Sequence, residues 1–105
     1  MTIRNRNAKA LNALQAISGK ALTLGNLLSA IRQGEDLSQA EFSLKLGISK
    51  QYLSDLEHGR RFASPKAAVQ YAKQLGYSPN QFLRLSLQDI VNRDGIDFLV
   101  DVKAA

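Results

Sequence analysis

The spacing of apolar residues predicts a series of short helices. Between Thr23 and Gly34, apolar side chains recur every three or four residues, which is the period of a helix with one buried face. They are Leu24, Leu27, Leu28 and Ile31. Thr23 carries an oxygen that can cap the first turn, and Gly34 is a typical residue at a helix end. We therefore expect a helix between these two positions.

Two further helices follow at short intervals. Ser38 and Glu41 form a capping-box pattern, in which each side chain can bond to the backbone N–H of the other residue. The helix that begins there should end near Gly47. Ser49 can cap the next helix, which should end at Gly59. Core positions for this pair are Phe42, Leu46, Ile48, Leu53 and Leu56.

Serine–proline pairs predict the starts of two more helices. Ser64 and Ser78 are each followed by a proline, whose restricted φ suits the first turn of a helix. Apolar residues follow both pairs at helical spacing. The first of these helices should end at Gly76, and the second should run to about residue 92. The predicted fold class is therefore all-α.

Segments on either side of these five helices show different patterns. Residues 7–18 are amphipathic and precede Gly19, so we expect an extra N-terminal helix. After Asp94-Gly95 the period changes to two, which predicts a short strand with one apolar face at Ile96, Phe98, Val100 and Val102. We divide the chain into a helical extension at 1–22, a central domain at 23–92 and a C-terminal strand at 93–105.

Composition and charge narrow the class of protein. The chain has 105 residues, of which 45% are hydrophobic, and a formal net charge of +5. The positive charge favours a polyanionic partner. The absence of cysteine excludes a disulfide scaffold, and no apolar run approaches the length of a membrane span. The polar, basic N-terminus is unlike a secretory signal. We expect a cytoplasmic protein with no membrane partner.

The residue composition also argues against an enzyme. The chain contains a single histidine, His58, and no cysteine, so no pair of nucleophile and base can be proposed. No other metal-ligand residue type clusters near His58, and no glycine-rich phosphate loop occurs. We expect no catalytic activity, no cofactor and no metal site.

Residues 37–61 carry the most specific pattern. Two short helices are joined by a turn at Gly47-Ile48-Ser49, which is the arrangement of a helix-turn-helix motif. Helices this short are marginal alone and must pack steeply against neighbours. Ser43 falls where the two helices should cross, and a small side chain is needed there.

This stretch resembles the Cro and phage-repressor (XRE-type) helix-turn-helix family. The resemblance extends over residues 23–85, and its carrying residues are Leu37-Ser38-Gln39-Ala40-Glu41, Leu46-Gly47-Ile48-Ser49, Tyr52-Leu53-Ser54, Leu56-Glu57 and Gly59-Arg60-Arg61. Ser43 and His58 depart from the commonest pattern, which has alanine and asparagine there. The resemblance implies a five-helix, lambda-repressor-like domain and a partly buried ion pair between Arg32 and Glu57.

In this motif the second helix, here residues 49–58, enters the major groove of DNA. Lysine suits guanine O6 and N7, glutamine suits adenine N6 and N7, and aspartate can accept from cytosine N4. We expect base contacts from Lys50, Gln51, Ser54 and Asp55. We expect phosphate contacts from Gln39, Ser49, Tyr52, Arg60 and Arg61.

These features predict a repressor-type transcription regulator that binds duplex DNA. One alternative is a HigA-like antitoxin that also regulates its own operon, with a toxin as second partner. Another is an interaction module without DNA binding, against which the retained DNA-facing residues argue. The N-terminal segment could be a packed helix, an arm on DNA or a docking site for the toxin.

The predicted strand points to a homodimer. An unpaired strand exposes backbone donors and acceptors, and the same strand of a second copy could pair with it about a two-fold axis. A toxin strand, or packing of the segment on its own domain, would be the alternatives. A two-fold dimer would present its two recognition helices about 34 Å apart and so require a palindromic operator.

Overall fold

The computed structural model describes residues 22–105, and this part of the chain forms five helices. They are α1 (Leu24–Gly34), α2 (Gln39–Leu46), α3 (Lys50–Glu57), α4 (Pro65–Leu75) and α5 (Pro79–Arg93). The predicted all-α class and the order of the five helices are confirmed. The extra helix predicted at residues 7–18 lies outside the described residues. No helix within 22–105 is both long and apolar enough to cross a membrane.

Serine and threonine caps begin the first four helices, as the sequence predicts. The side chains of Thr23, Ser38, Ser49 and Ser64 each accept a hydrogen bond from the backbone N–H three residues on. The capping box of Ser38 and Glu41 is complete, and its hydrogen bonds lower the pKa of the Glu41 carboxyl. Ser78 makes no side-chain cap, so α5 begins with the preset φ of Pro79 alone.

Each helix ends in the same type of turn. The backbone N–H that follows a left-handed residue bonds back to a carbonyl five residues earlier, which is the Schellman motif. Four of the left-handed residues are glycines, namely Gly47, Gly59, Gly76 and Gly95. The fifth differs from expectation. Gly34 is the last residue of α1, as predicted, but Asp36 with φ 56° makes the turn.

A single apolar core lies between the five helices. α1 packs on α3 and α5, α2 packs on α3 and α4, and α4 and α5 pack along each other. The largest fully buried side chains are Phe42, Phe82, Leu27, Leu28, Leu53 and Leu85. Because both helices of the predicted motif contribute to this core, their orientation is determined by the whole domain.

Gly25 allows α1 to approach α3 very closely. A β-carbon at Gly25 would overlap the backbone carbonyl oxygen of Leu56, at the end of α3. Only glycine fits at this crossing, since a backbone atom cannot turn aside as a flexible side chain can. This contact and the Schellman turn at Gly59 place the loop after α3 against the start of α1.

The strand predicted over Ile96–Val102 is absent from the single chain. Residues 96–105 have no regular secondary structure. A strand needs a hydrogen-bonded neighbour, and the five helices supply no sheet edge. Of the side chains predicted to form the strand's apolar face, Phe98 is 74% exposed and Ile96 45% exposed, while Val100 and Val102 are half-buried.

Candidate nucleic-acid interface

The helix-turn-helix pair is built as the sequence predicts. Gly47 takes a left-handed φ, and the next backbone N–H, of Ile48, bonds to the Ser43 carbonyl at 3.1 Å. Ser43 itself is buried, and its hydroxyl donates to the Ala40 carbonyl at 2.8 Å. The small side chain therefore lies at the packed side of α2, and its polar atom is satisfied within the helix.

The N-terminal turn of α3 presents polar side chains to solvent. Ser49 caps the helix through the N–H of Tyr52 at 3.0 Å. Lys50 and Gln51, the first two helical residues, are exposed, whereas Leu53 is fully buried in the core. One face of the same helix thus holds it in the domain while the other offers a cation and an amide to a partner.

The Asp55 carboxylate contacts three of the side chains that are predicted to face DNA. Its Oδ1 accepts from Arg60 Nε at 2.8 Å and from Gln51 Nε2 at 3.0 Å, and its Oδ2 lies 3.4 Å from Arg61 Nε. The Arg60 hydrogen bond is the main cause that lowers the pKa of the Asp55 carboxyl. The backbone carbonyl of Asp55 accepts from the backbone N–H groups of Arg60 and Arg61. The two arginines are therefore held beside α3 in the free protein.

The remaining predicted contacts near α3 are partly committed to the protein itself. Tyr52 is half-buried against the core, and the guanidinium carbon of Arg61 lies 5.8 Å from its ring centroid. Ser54 Oγ lies 3.3 Å from Arg60 Nη2 and 3.4 Å from His58 Nδ1. The His58 Nδ1 is also 2.7 Å from the Ser54 carbonyl, which can only accept, so that contact needs a proton on Nδ1.

The predicted ion pair between Arg32 and Glu57 is confirmed. Arg32 Nε and Nη2 donate to the two carboxylate oxygens of Glu57 at 2.8 and 3.1 Å, and Nη1 donates to the Leu37 carbonyl at 3.0 Å. The Glu57 side chain is only 4% exposed. Gln39 Nε2 donates to the same carboxylate at 3.1 Å. This network joins the end of α1, the start of α2 and the end of α3.

Sequence reasoning missed a buried carboxylate behind the loop that follows α3. Asp89 on α5 is 5% exposed, and its Oδ2 accepts from the N–H of Leu24, the first residue of α1, at 3.2 Å. Its Oδ1 has no hydrogen-bond partner among residues 22–105. Burial raises the pKa of Asp89 to about 6. The carboxyl borders a cavity of about 40 Å³ that Gly59 and Arg61 also line. In the sequence, an aspartate within a predicted helix is indistinguishable from an exposed surface residue. No local pattern therefore indicates that Asp89 is buried.

Comparisons with known proteins agree with this architecture. A family model described as Helix-turn-helix matches residues 28–82. A 10 kDa protein of the ImmF control region of Bacillus phage phi105 is 34% identical over 74 residues, which span 70% of this chain and 81% of that protein. An uncharacterised HTH-type transcriptional regulator, y4dJ of Sinorhizobium fredii, is 36% identical over 55 residues, 52% of this chain and 71% of that protein. No solved structure matches the chain.

The matched region contains the α2–turn–α3 unit, the ion pair between Arg32 and Glu57, and most of the core. The family match, the similarity to a transcriptional regulator and the packed α2–turn–α3 unit all indicate the same family. The chain belongs to the XRE-type helix-turn-helix family of DNA-binding transcription regulators.

Proposed function

We propose that this protein is a repressor-type regulator that binds a palindromic operator as a homodimer, with α3 in the major groove. The observation that carries the proposal is the exposed, capped N-terminal turn of α3, where Lys50 and Gln51 project from a helix whose other face is buried. In helix-turn-helix complexes this turn contacts the base edges. The protein acts by binding and not by catalysis.

Base contacts on this helix follow from side-chain chemistry. The Lys50 ammonium can donate to guanine O6 and N7, and the Gln51 amide can both donate to and accept from adenine. One N–H of the Gln51 amide bonds to Asp55 in the free protein, which leaves the other N–H and the amide oxygen for adenine. Ser54 and Asp55 lie one turn further along α3. They can contact flanking bases once Arg60 and Arg61 leave Asp55 and bind phosphates.

Phosphate contacts come from the helix starts and from the loop after α3. Ser49 and Gln39 lie at the N-termini of α3 and α2, where free N–H groups favour an anion. Arg60 and Arg61 are 53% and 62% exposed, so their guanidiniums can exchange the Asp55 carboxylate for a phosphate. Tyr52 completes the group through its hydroxyl.

The relatives support a regulatory role. One is described as a control-region protein of a phage and the other as a transcriptional regulator. The antitoxin alternative rests on the family resemblance alone and stays a prediction, which a co-transcribed small toxin gene would support. Repression itself is tested with a reporter gene placed behind the selected operator.

The test of the base contacts measures binding to a selected operator and to variants with single base changes. Lys50→Ala and Gln51→Ala should each lose discrimination of about 1–3 kcal/mol at one or two positions. Lys73→Ala is the matched control, because Lys73 is an exposed lysine in the last turn of α4, outside the α2–turn–α3 unit. Wild-type base preference in both α3 variants would overturn the assignment.

The phosphate contacts have a different signature. Arg60→Ala and Arg61→Ala should weaken binding to every duplex about equally and reduce the slope of log affinity against log salt by about one each. An altered base preference in place of a uniform loss would show that these arginines contact bases.

A further inference from the structure

The segment that follows α5 is held in place by one buried side chain. Gly95 reverses the chain through a left-handed turn, and residues 96–105, which we name the returning segment, pass back along α5. Gln88 on α5 is 2% exposed. Its Nε2 donates to the Phe98 carbonyl at 2.8 Å, and its Oε1 accepts from the Val100 N–H at 2.8 Å.

This pair of hydrogen bonds is the pattern that a neighbouring strand would make. In an extended chain the N–H and C=O groups of alternate residues point to the same edge. Gln88 occupies the edge formed by Phe98 and Val100. The opposite edge consists of the backbone groups of Asp97, Leu99 and Asp101, and none of these bonds to another described residue.

We propose that the free edge of the returning segment pairs antiparallel with the same edge of a second copy, with Val100 on the two-fold axis. The inference rests on the proposed homodimer and specifies its contact. Both copies pair through the backbone groups of odd-numbered residues, so each hydrogen-bonded pair joins an odd-numbered residue of one copy to an odd-numbered residue of the other. The two residue numbers of every pair then have the same even sum, so the two-fold axis passes through a residue and not between two residues.

Charge favours an axis at Val100 over the two neighbouring positions. An axis at Leu99 would place Asp97 opposite Asp101 of the second copy, and an axis at Asp101 would place two copies of that carboxylate face to face. An axis at Val100 places Asp97 opposite Lys103, twice in the dimer, because the contact is symmetric. Like charges directly opposite are destabilising, whereas opposite charges stabilise.

The same position covers the exposed apolar side chains. With the axis at Val100, Phe98 faces Val102 of the second copy and the two Val100 residues face each other. Phe98 is 74% exposed in the single chain. Cross-strand pairs of aromatic and β-branched residues are favourable, so pairing removes the largest exposed ring of this segment from water.

The test uses the absence of cysteine from the chain. In the proposed register the two Val100 residues form a non-hydrogen-bonded pair with α-carbons about 4.5 Å apart, within the range that a disulfide spans. Val100→Cys should therefore give a reducible covalent dimer under mild oxidation at micromolar concentration. Leu99→Cys is the matched control, since its two copies are diagonal neighbours about 7–8 Å apart and should cross-link at least tenfold more slowly.

Charge exchange provides a second readout on exposed side chains that leave the fold intact. Asp97→Lys and Lys103→Asp should each weaken dimerisation severalfold by sedimentation, and the double variant should restore it. Faster cross-linking at position 99 than at 100, or no restoration by the double variant, overturns the register. If the wild type still binds palindromic DNA as a dimer in that case, the proposed function stands. A protein that is monomeric in solution and on DNA contradicts both.

Discussion

Glu57 joins α3 to α1 and to the start of α2 through hydrogen bonds. Its carboxylate receives Arg32 from α1 and Gln39 from the start of α2, and it is almost fully buried. A buried carboxylate of this kind is stable only while its partners remain, because an unpaired charge cannot be solvated there. The position of α3 therefore depends on this network as well as on the apolar core.

Replacing Glu57 should expose that dependence. Glu57→Gln leaves the Arg32 guanidinium without its anion, and we expect a loss of about 3 kcal/mol in the free energy of unfolding, measured by urea denaturation. Arg32→Met should have a similar effect. The double variant should lose clearly less than the sum of the two single losses, because neither charge then remains buried alone. Simple additivity would show that the two residues do not interact.

Asp89 predicts an unusual dependence of stability on pH. Burial raises the pKa of its carboxyl from 3.8 to about 6, so the folded state binds the proton more tightly than the unfolded chain does. Its contribution is fully present below pH 3.8 and is lost as the pH rises through about 6. Asparagine can still accept from Leu24 N–H without carrying a charge.

Asp89→Asn should therefore be more stable than the wild type at pH 7.5, by at most about 3 kcal/mol, and equal to it near pH 3.5. The measurement is the difference in unfolding free energy between the two proteins across this range, which cancels contributions from other carboxyls. The exposed Asp94→Asn variant, outside the proposed dimer contact, is the control and should show no such difference. A destabilised Asp89→Asn protein at pH 7.5 would contradict the assignment.

At the scale of helices, the close crossing of α1 and α3 is the most demanding contact. Gly25→Ala would drive a methyl group into the Leu56 carbonyl, so α3 must shift or the helices must separate. We expect a loss of about 3 kcal/mol in stability, since overpacking against backbone is poorly relieved. Operator affinity of the folded fraction should fall as well, because the recognition helix moves.

Gly34→Ala is the matched control for this prediction. Gly34 lies in the last turn of the same helix, and a β-carbon there would meet nothing within 4 Å. Alanine should raise stability by about 0.5–1 kcal/mol, because glycine is a weak helix former. Equal effects of the two substitutions in thermal unfolding would show that the crossing is less tight than described.

Helix starts and ends could be predicted from sequence because their signals are local. Caps at Thr23, Ser38, Ser49 and Ser64 each satisfy an N–H only three residues away. Gly25, Gln88 and Asp89 gave no such signal, because their partners lie far along the chain and become neighbours only after folding. The expected strand illustrates the reverse error. Alternation of apolar residues is a local property, but a strand also requires a hydrogen-bonded neighbour. Within the described part of the chain, the side chain of Gln88 takes that place.

At the scale of the whole molecule, the proposed DNA contacts are confined to one small region. The net charge of +5 is modest, and the exposed cations on α3 and in the loop after it are Lys50, Arg60 and Arg61. Asp55 restrains both arginines in the free protein. A single domain with so few contacts would bind any one half-site weakly. Two copies on a palindrome double the contacts and require the correct spacing, which is the physical reason to expect a dimer on DNA.

Selection of binding sites from random duplex DNA with the wild-type protein tests the central claim most directly. We expect an enriched palindrome whose half-sites are about 10–10.5 base pairs apart, or a multiple of that spacing. Parallel selections with Lys50→Ala and Gln51→Ala should lose preference at one or two positions in each half-site, symmetrically, while Lys73→Ala should enrich the wild-type palindrome. No enriched sequence, or the same sequence from both α3 variants, would contradict the claim that α3 of a homodimer reads the operator.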